Sequence, residues 1–373
     1  MIIDITLVVG GLVLLILGGE SLVRGASSLA ERAGISPLVI GLVVVSASTS
    51  APEFAVSLGA VLRGEPDLAV GNVVGSNIFN VLFILGLSAL VAPLVIKRQL
   101  VRFDIPFMLF ISVLLMFLAL DGAVSLNDGF LLLGALFIHT VISIVMGRRE
   151  SNTVDKGEEK SKESSQESSR QLSALRAVLF LLAGIGLLVA GAQLLVSGAV
   201  SIASALGVSS LVIGLTVVAA GTSLPEVATS LIAMRKGETD IAVGNVVGSN
   251  IFNIGMVLGL PAIIFGSGIP VTNALIAIDI PLMIATAIAL LPIAFTGFVV
   301  ARWEGFLFFG MYVTYTLYLV LASTEHDAAQ GFTTIMLWFV MPLIAATLVA
   351  ITAYEFGLQK GKKLGVHSKR ESG

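Results

Sequence analysis

Apolar residues along this chain gather in runs near 5–30, 37–62, 68–93, 104–120 and 124–147, then 174–204, 209–234, 241–266, 273–297, 303–323 and 332–355. Each run is about twenty residues, enough for a helix to cross a bilayer. The pattern predicts an all-α polytopic membrane protein: five helices, a polar interruption, five more helices, and one extra C-terminal helix. The interruption, Glu150 to Arg170, is rich in Ser, Glu and Lys and holds six acids and four bases. Such a stretch buries too little apolar surface to fold and is expected as a flexible tether. Its acids lack the loop spacing of a calcium-binding hand. The chain thus divides into a first five-helix unit at 1–147, a charged cytoplasmic linker at 148–173, a second unit at 174–323, and an extra transmembrane helix with a basic cytoplasmic tail at 324–373.

Composition agrees with this pattern. Of the 373 residues, 56% are apolar and only 12% charged, and the mean hydropathy of +1.02 lies far outside the soluble range. The chain has no cysteine, which excludes disulfides, thiolate metal sites and cysteine nucleophiles. Its start, Met1-Ile2-Ile3-Asp4, lacks the basic flank of a cleaved signal, so the first run is expected to stay as a helix.

The strongest internal signal is a duplication. Twelve residues, AVGNVVGSNIFN, occur at Ala69–Asn80 and again at Ala242–Asn253, an offset of 173. At the same offset Pro52-Glu53 recurs as Pro225-Glu226, Thr49-Ser50 as Thr222-Ser223, and Gly41-Leu42 as Gly214-Leu215. Five helices per copy is an odd number, so the copies must enter the membrane in opposite senses, as an inverted repeat. Positive charge tests this, because Lys and Arg concentrate in cytoplasmic loops. With the N-terminus outside, 19 of the 21 Lys and Arg fall in cytoplasmic loops, the linker or the tail, leaving only Arg63 outside and Arg24 within the first span. Weaker echoes pair Asp104-Ile105-Pro106 with Asp279-Ile280-Pro281, and Asp128-Gly129-Phe130 with Glu304-Gly305-Phe306. These acids are expected as helix starts.

The polar residues that point to chemistry fall in four spans. Ser46, Thr49, Ser50, Glu53 and Ser57 fall on one helical face of the second span. Pro52 lacks an N–H and its ring clashes with the carbonyl of Ser48, so the helix is expected to kink or break there. A helix broken inside a membrane frees carbonyls, which are tolerated where they line a cavity or bind ions. The seventh span repeats the pattern with Thr222, Ser223, Pro225, Glu226 and Ser230, with Ala219 in place of Ser46. Glu53 and Glu226 are the decisive pair, since an ionisable group near the bilayer centre costs at least about 2.5 kcal/mol and is usually functional. In the third and eighth spans Asn72, Ser76 and Asn80, with Asn245, Ser249 and Asn253, lie four apart on one face. Gly71, Gly75, Gly244 and Gly248 read as close-packing positions. For Ser76, Asn80, Ser249 and Asn253, ion contact is weighed against bonding between helices; for Asn72, Asn77 and their copies the pattern leaves both open.

Every ligand on offer is a carboxylate or a neutral oxygen, and the three histidines lie outside these four spans. That donor set favours a hard cation over zinc, copper or an organic solute. Six to eight oxygens at about 2.3–2.6 Å suit Ca²⁺, whereas Mg²⁺ demands a tighter octahedron and keeps its waters. Two bare carboxylates about 6 Å apart would repel by roughly 3 kcal/mol at an effective dielectric near 20. An empty site should therefore resist crossing the membrane unless cations or protons fill it, which makes exchange obligatory.

These residues resemble the two α-repeats of the cation/calcium antiporter superfamily, in particular its prokaryotic sodium/calcium exchanger-like members. The likeness covers about residues 1–323 and rests on Thr-Ser-x-Pro-Glu followed by Gly-Asn-x-x-Gly-Ser-Asn. The resemblance implies that spans two, three, seven and eight form a central diamond of ion sites. It implies that Glu53 and Glu226 are shared Ca²⁺ and Na⁺ ligands, joined at calcium by the carbonyls of Thr49 and Thr222. Ser50, Ser223, Ser76 and Ser249, with the carbonyls of Ser46 and Ala219, would serve flanking sodium sites, and Asn80 and Asn253 would line the centre. The long first and sixth spans would slide across this core to switch access.

Some prokaryotic exchangers carry an aspartate where Asn253 stands, so the core here holds two formal negative charges from these helices and not three. One Ca²⁺ would neutralise it; three Na⁺, the number the family implies, would leave it at +1. Calcium/proton exchangers of the superfamily typically place Glu where Ser76 and Ser249 stand, which disfavours protons here, although Glu53 and Glu226 can themselves bind protons. The expected function is Na⁺/Ca²⁺ antiport that extrudes Ca²⁺, with Ca²⁺/H⁺ antiport as the alternative and a cation channel behind it. No nucleophile–base pair or metal-binding histidine cluster points to an enzyme. No cofactor, nucleic acid or obligate protein partner is expected, only Ca²⁺, Na⁺ and the lipid bilayer.

Overall fold

The computed structural model describes residues 2–158, 173–206, 219–295 and 298–323. The first half contains α1 (Ile2–Ala33), the bent pair α2 (Pro37–Thr49) and α3 (Ala51–Leu62), α4 (Leu68–Val91), α5 (Leu100–Ala119) and α6 (Leu126–Glu158). The second contains α7 (Ala174–Ala205), the broken α8 (Ala219–Thr222) and α9 (Leu224–Arg235), α10 (Thr239–Phe265), α11 (Leu275–Leu291) and α12 (Arg302–Ser323). Among the described residues seven helices are long and apolar enough to cross a membrane, and the bent α2–α3 pair makes an eighth. The beginning of the seventh expected span and all of the eleventh, with the tail, lie outside the described residues. So does most of the expected tether, into which α6 continues as far as Glu158.

Both breaks fall where the prolines put them. The α2–α3 pair bends by 42° around Ser50, whose ψ of 3° is far from helical. Ser223, 173 positions on, has ψ of 9° between α8 and α9. Pro52 and Pro225 each lack the N–H that would continue the ladder. Further on, α4 and α10 each widen into a π-helical turn, Asn80–Leu85 and Asn253–Leu258, and each begins on the third and last asparagine of its motif. Such turns recur at functional sites because they re-aim side chains.

The halves are intertwined. α1 and α7, equivalent by the repeat, run antiparallel with their backbones in contact. Gly11, Gly18 and Gly25 of α1 lie against the α7 backbone near Gly191, Gly184 and Ala177. Two short antiparallel pairings cross between halves: β1 (Leu94–Val95) with β4 (Val299–Val300), and β2 (Ala123–Val124) with β3 (Ile269–Pro270). Each pairing joins loops that the charge distribution assigns to one side. An ion pair does the same, Lys97 Nζ to Asp240 Oδ2 at 2.7 Å.

Burial sorts the helices into a core and a rim. In α4 and α10, 78% of the apolar window is buried, against 22% in α1 and α7, whose outer faces expose residues such as Leu12, Ile16, Leu179 and Leu182. That is the arrangement of a membrane protein whose polar groups are gathered at its centre and whose rim meets lipid. Gly244 and Gly248 pack on the α2 backbone at Leu38 and Leu42, as close packing requires. Gly71 and Gly75 meet no described atom within 4 Å; most of the segment equivalent to α2 in the second half, 210–218, lies outside the described residues.

Candidate cation site

Glu53 and Glu226 stand in the first turns of α3 and α9, immediately after the breaks, where the helix N-terminus favours negative charge. Both are buried, along with Ser46, Thr49, Ser50, Ser76, Asn80, Ser223, Ser249 and Asn253. Ser223 joins the halves by donating its hydroxyl to Glu53 Oε1 at 2.9 Å and lying 3.3 Å from Ser76 Oγ. That bond brings the Glu53 carboxylate to the α8–α9 break, three residues before Glu226. Ser46 donates its hydroxyl to the carbonyl of Leu42, and its own carbonyl accepts from the Ser50 N–H at 2.9 Å. Ala219 and Thr222 both lie on α8, Thr222 one residue before the break.

The feature that defines the site is a set of buried oxygens that make no hydrogen bond. Eleven buried side-chain polar atoms are in this position among the described residues. Seven belong to residues picked out from the sequence: Ser50 Oγ, Glu53 Oε2, both Glu226 carboxylate oxygens, Asn80 Oδ1, Ser249 Oγ and Asn253 Oδ1. Buried polar atoms are nearly always satisfied, and each exception calls for an explanation. Carboxylate, amide and hydroxyl oxygens left without partners on the broken helices and on α4 and α10 are what a bound cation would satisfy. Among the described residues no three His, Cys, Asp or Glu side chains converge, so two carboxylates and neutral oxygens are the whole donor set. This composition fits a hard, oxygen-loving ion.

The neighbouring asparagines resolve into framework. Asn72 donates to Ser57 Oγ at 3.0 Å and to the carbonyl of Glu53 at 3.2 Å, tying α4 to α3. Its copy Asn245 donates to Ser230 Oγ at 3.2 Å and accepts from Thr49 Oγ1 at 3.1 Å. Asn77 and Asn250 bond across the halves to each other and to Asn253 and Asn80. Sequence spacing left these four undecided, because periodicity shows which residues share a face but not what meets that face from the other repeat.

Two of the four expected helix starts are different. Asp128 and Glu304 do cap: Asp128 accepts from the Ser125 N–H and hydroxyl, and Glu304 from the Ala301 N–H. Asp104 and Asp279 do not. Asp104 is buried and accepts from His139 Nε2 at 2.9 Å, Ser143 Oγ at 2.8 Å and Gln99 Nε2 at 3.2 Å. Asp279 accepts from the Tyr315 hydroxyl at 3.2 Å. An Asp before Ile-Pro looks like a cap locally, but donors from a helix some 35 residues away claim it. Outside the spans, burial raises the Glu238 carboxyl above its ordinary range; a Ser27 hydrogen bond opposes this, and the charges of Asp240 and Glu31 reinforce it.

Comparison with known proteins meets this geometry. Residues 3–145 and 176–321 match the family described as sodium/calcium exchanger protein. The inner membrane protein YrbG of Escherichia coli is 39% identical over 266 residues, 71% of this chain and 81% of YrbG. The sodium/calcium exchanger MaX1 of Methanosarcina acetivorans is 32% identical over 341 residues, 83% of this chain and 96% of MaX1. Among solved structures, the sodium-calcium exchanger NCX_Mj, soaked with Na⁺ and Sr²⁺, superposes with a TM-score of 0.71 at 30% identity, covering 84% of this chain and 97% of its own.

Proposed function

This chain belongs to the sodium/calcium exchanger protein family, and we propose that it is a secondary antiporter in which Na⁺ entry drives Ca²⁺ out of the cell by alternating access. The observation that carries this reading is the cluster of seven buried oxygens without hydrogen bonds, two of the contributing side chains being the repeat-related glutamates. Glu53 and Glu226 would bind Ca²⁺ with the carbonyls of Thr49 and Thr222. Ser50, Ser76, Ser223 and Ser249, with the carbonyls of Ser46 and Ala219, would hold Na⁺, and Asn80 and Asn253 would line the centre.

In this reading the halves are inverted across the membrane, with the N-terminus outside and the 148–173 linker and the C-terminus in the cytoplasm. The antiparallel α1–α7 pair and the distribution of Lys and Arg support it. With two formal negative charges in the core, one Ca²⁺ gives neutrality and three Na⁺ give +1, so 3:1 exchange would move charge. Direct repulsion between the bare carboxylates would keep the unloaded site from crossing, which couples the two fluxes.

The test is the counter-ion. Purified protein in Ca²⁺-loaded liposomes is given an external Na⁺ gradient or, separately, a pH gradient. Ca²⁺ efflux that follows Na⁺ supports the assignment. Efflux that follows only protons overturns it, and efflux without any counter-ion on the far side points to a channel.

A further inference from the structure

Where α4 crosses α10, the two middle asparagines of the repeated motif form a reciprocal clamp. Asn77 Nδ2 donates to the backbone carbonyl of Asn250 at 3.2 Å, and Asn250 Nδ2 to that of Asn77 at 3.4 Å. A carbonyl can only accept, so each contact fixes which end of the amide is nitrogen. The same nitrogens also face thioether sulfurs, Met283 Sδ at 3.5 Å from Asn77 and Met108 Sδ at 3.3 Å from Asn250. Each Oδ1 is thereby turned toward the far repeat. Asn77 Oδ1 accepts from Asn253 Nδ2 at 3.0 Å, and Asn250 Oδ1 accepts from Asn80 Nδ2 at 3.0 Å. With their nitrogens held, Asn80 and Asn253 are left with buried Oδ1 atoms that make no hydrogen bond. Flipped, either amide would offer N–H groups to a cation and repel it.

We propose that Asn77 and Asn250 are positioning residues for cation transport: Asn77 holds Asn253, and Asn250 holds Asn80, oxygen-first toward the transported ion. The arrangement is crossed, so a residue of each repeat orients the ligand supplied by the other. It rests on the reading of the site as a Ca²⁺ carrier. Partners that orient a metal ligand typically contribute about 10–100-fold in affinity, and that is the effect expected of either clamp residue.

The experiment is a pair of double-mutant cycles on the full-length protein, read by Ca²⁺ titration calorimetry and by the Ca²⁺-induced rise in melting temperature. Asn77→Ala should weaken Ca²⁺ about 10–100-fold and add nothing further once Asn253 is alanine, yet add in full to Asn80→Ala. Asn250→Ala should show the opposite pairing. Asn77→Ser and Asn250→Ser, too short to span to the partner amide but smaller in their effect on packing, follow the same cycles in case alanine costs the fold. Additive effects within the paired positions, or equal coupling of Asn77 to Asn80 and Asn253, overturn the clamp while leaving the Ca²⁺ reading intact. A wild-type protein that binds no Ca²⁺ overturns that reading and the clamp with it.

Discussion

Alanine at Gly11 and alanine at Gly10, neighbours on one helix, should act in opposite directions. A methyl group built on Gly11 would lie 2.6 Å from Leu195 N, 2.7 Å from Gly191 O and 2.8 Å from Leu195 Cβ, all on α7. Comfortable carbon contacts are about 3.5–4.0 Å, so α1 and α7 must part by about 1 Å locally. Forcing extra volume into a packed interface costs about 1–3 kcal/mol, against about 0.5–1 kcal/mol gained when alanine replaces glycine within a helix. Gly10 meets no described atom within 4 Å, so alanine there keeps only the gain. Thermal unfolding of the purified protein in detergent reads the difference: Gly11→Ala should melt below the wild type, and Gly10→Ala at or above it. The same contact recurs at Gly18, Gly25, Gly184 and Gly198, so alanine at any of them should resemble Gly11→Ala. Equal melting temperatures for Gly10→Ala and Gly11→Ala would refute the backbone-to-backbone packing of α1 on α7.

Three further outcomes are expected. Asp104→Ala should lower the melting temperature, because His139, Ser143 and Gln99 lose a common buried acceptor at about 1–3 kcal/mol for each donor left unsatisfied; an unchanged melting curve would contradict it. Lys97→Ala removes a partly exposed ion pair with Asp240 and should cost less than about 1 kcal/mol, with Na⁺-driven flux retained; a large loss would give that contact a role it lacks here. Ser223→Ala deletes the donor to Glu53 Oε1 and should raise the Na⁺ concentration for half-maximal flux more than that for Ca²⁺; an equal change in both would remove Ser223 from a sodium site.

Much of this site was legible because duplication repeats its chemistry in plain letters. Pro52 and Pro225 forecast the breaks at Ser50 and Ser223, since a missing N–H acts locally whatever surrounds it. Glu53 and Glu226 stood out because an acid within an apolar run is costly, and the family likeness carried on the identical motifs is matched by the comparisons. What stayed hidden depends on distance along the chain. Asp104 carries the local signature of a cap, and only the fold shows His139 and Ser143 taking it. Asn77 reads as a polar residue beside Ser76; its role emerges only when Asn250 arrives 173 positions later to share hydrogen bonds. The two-residue strands β1 to β4 are too short to leave any alternation in the sequence.

The central claim is that one carboxylate from each repeat jointly carries the transported cation. It is tested most directly by Glu53→Gln and Glu226→Gln, each an isosteric loss of a single charge, measured as Na⁺-driven Ca²⁺ efflux from proteoliposomes beside the wild type. Either substitution leaves the core with one formal negative charge where Ca²⁺ needs two, so each variant alone should show no Na⁺-driven efflux. Wild-type flux in either variant would contradict the account, because a Ca²⁺ carried without that glutamate is not held by the pair.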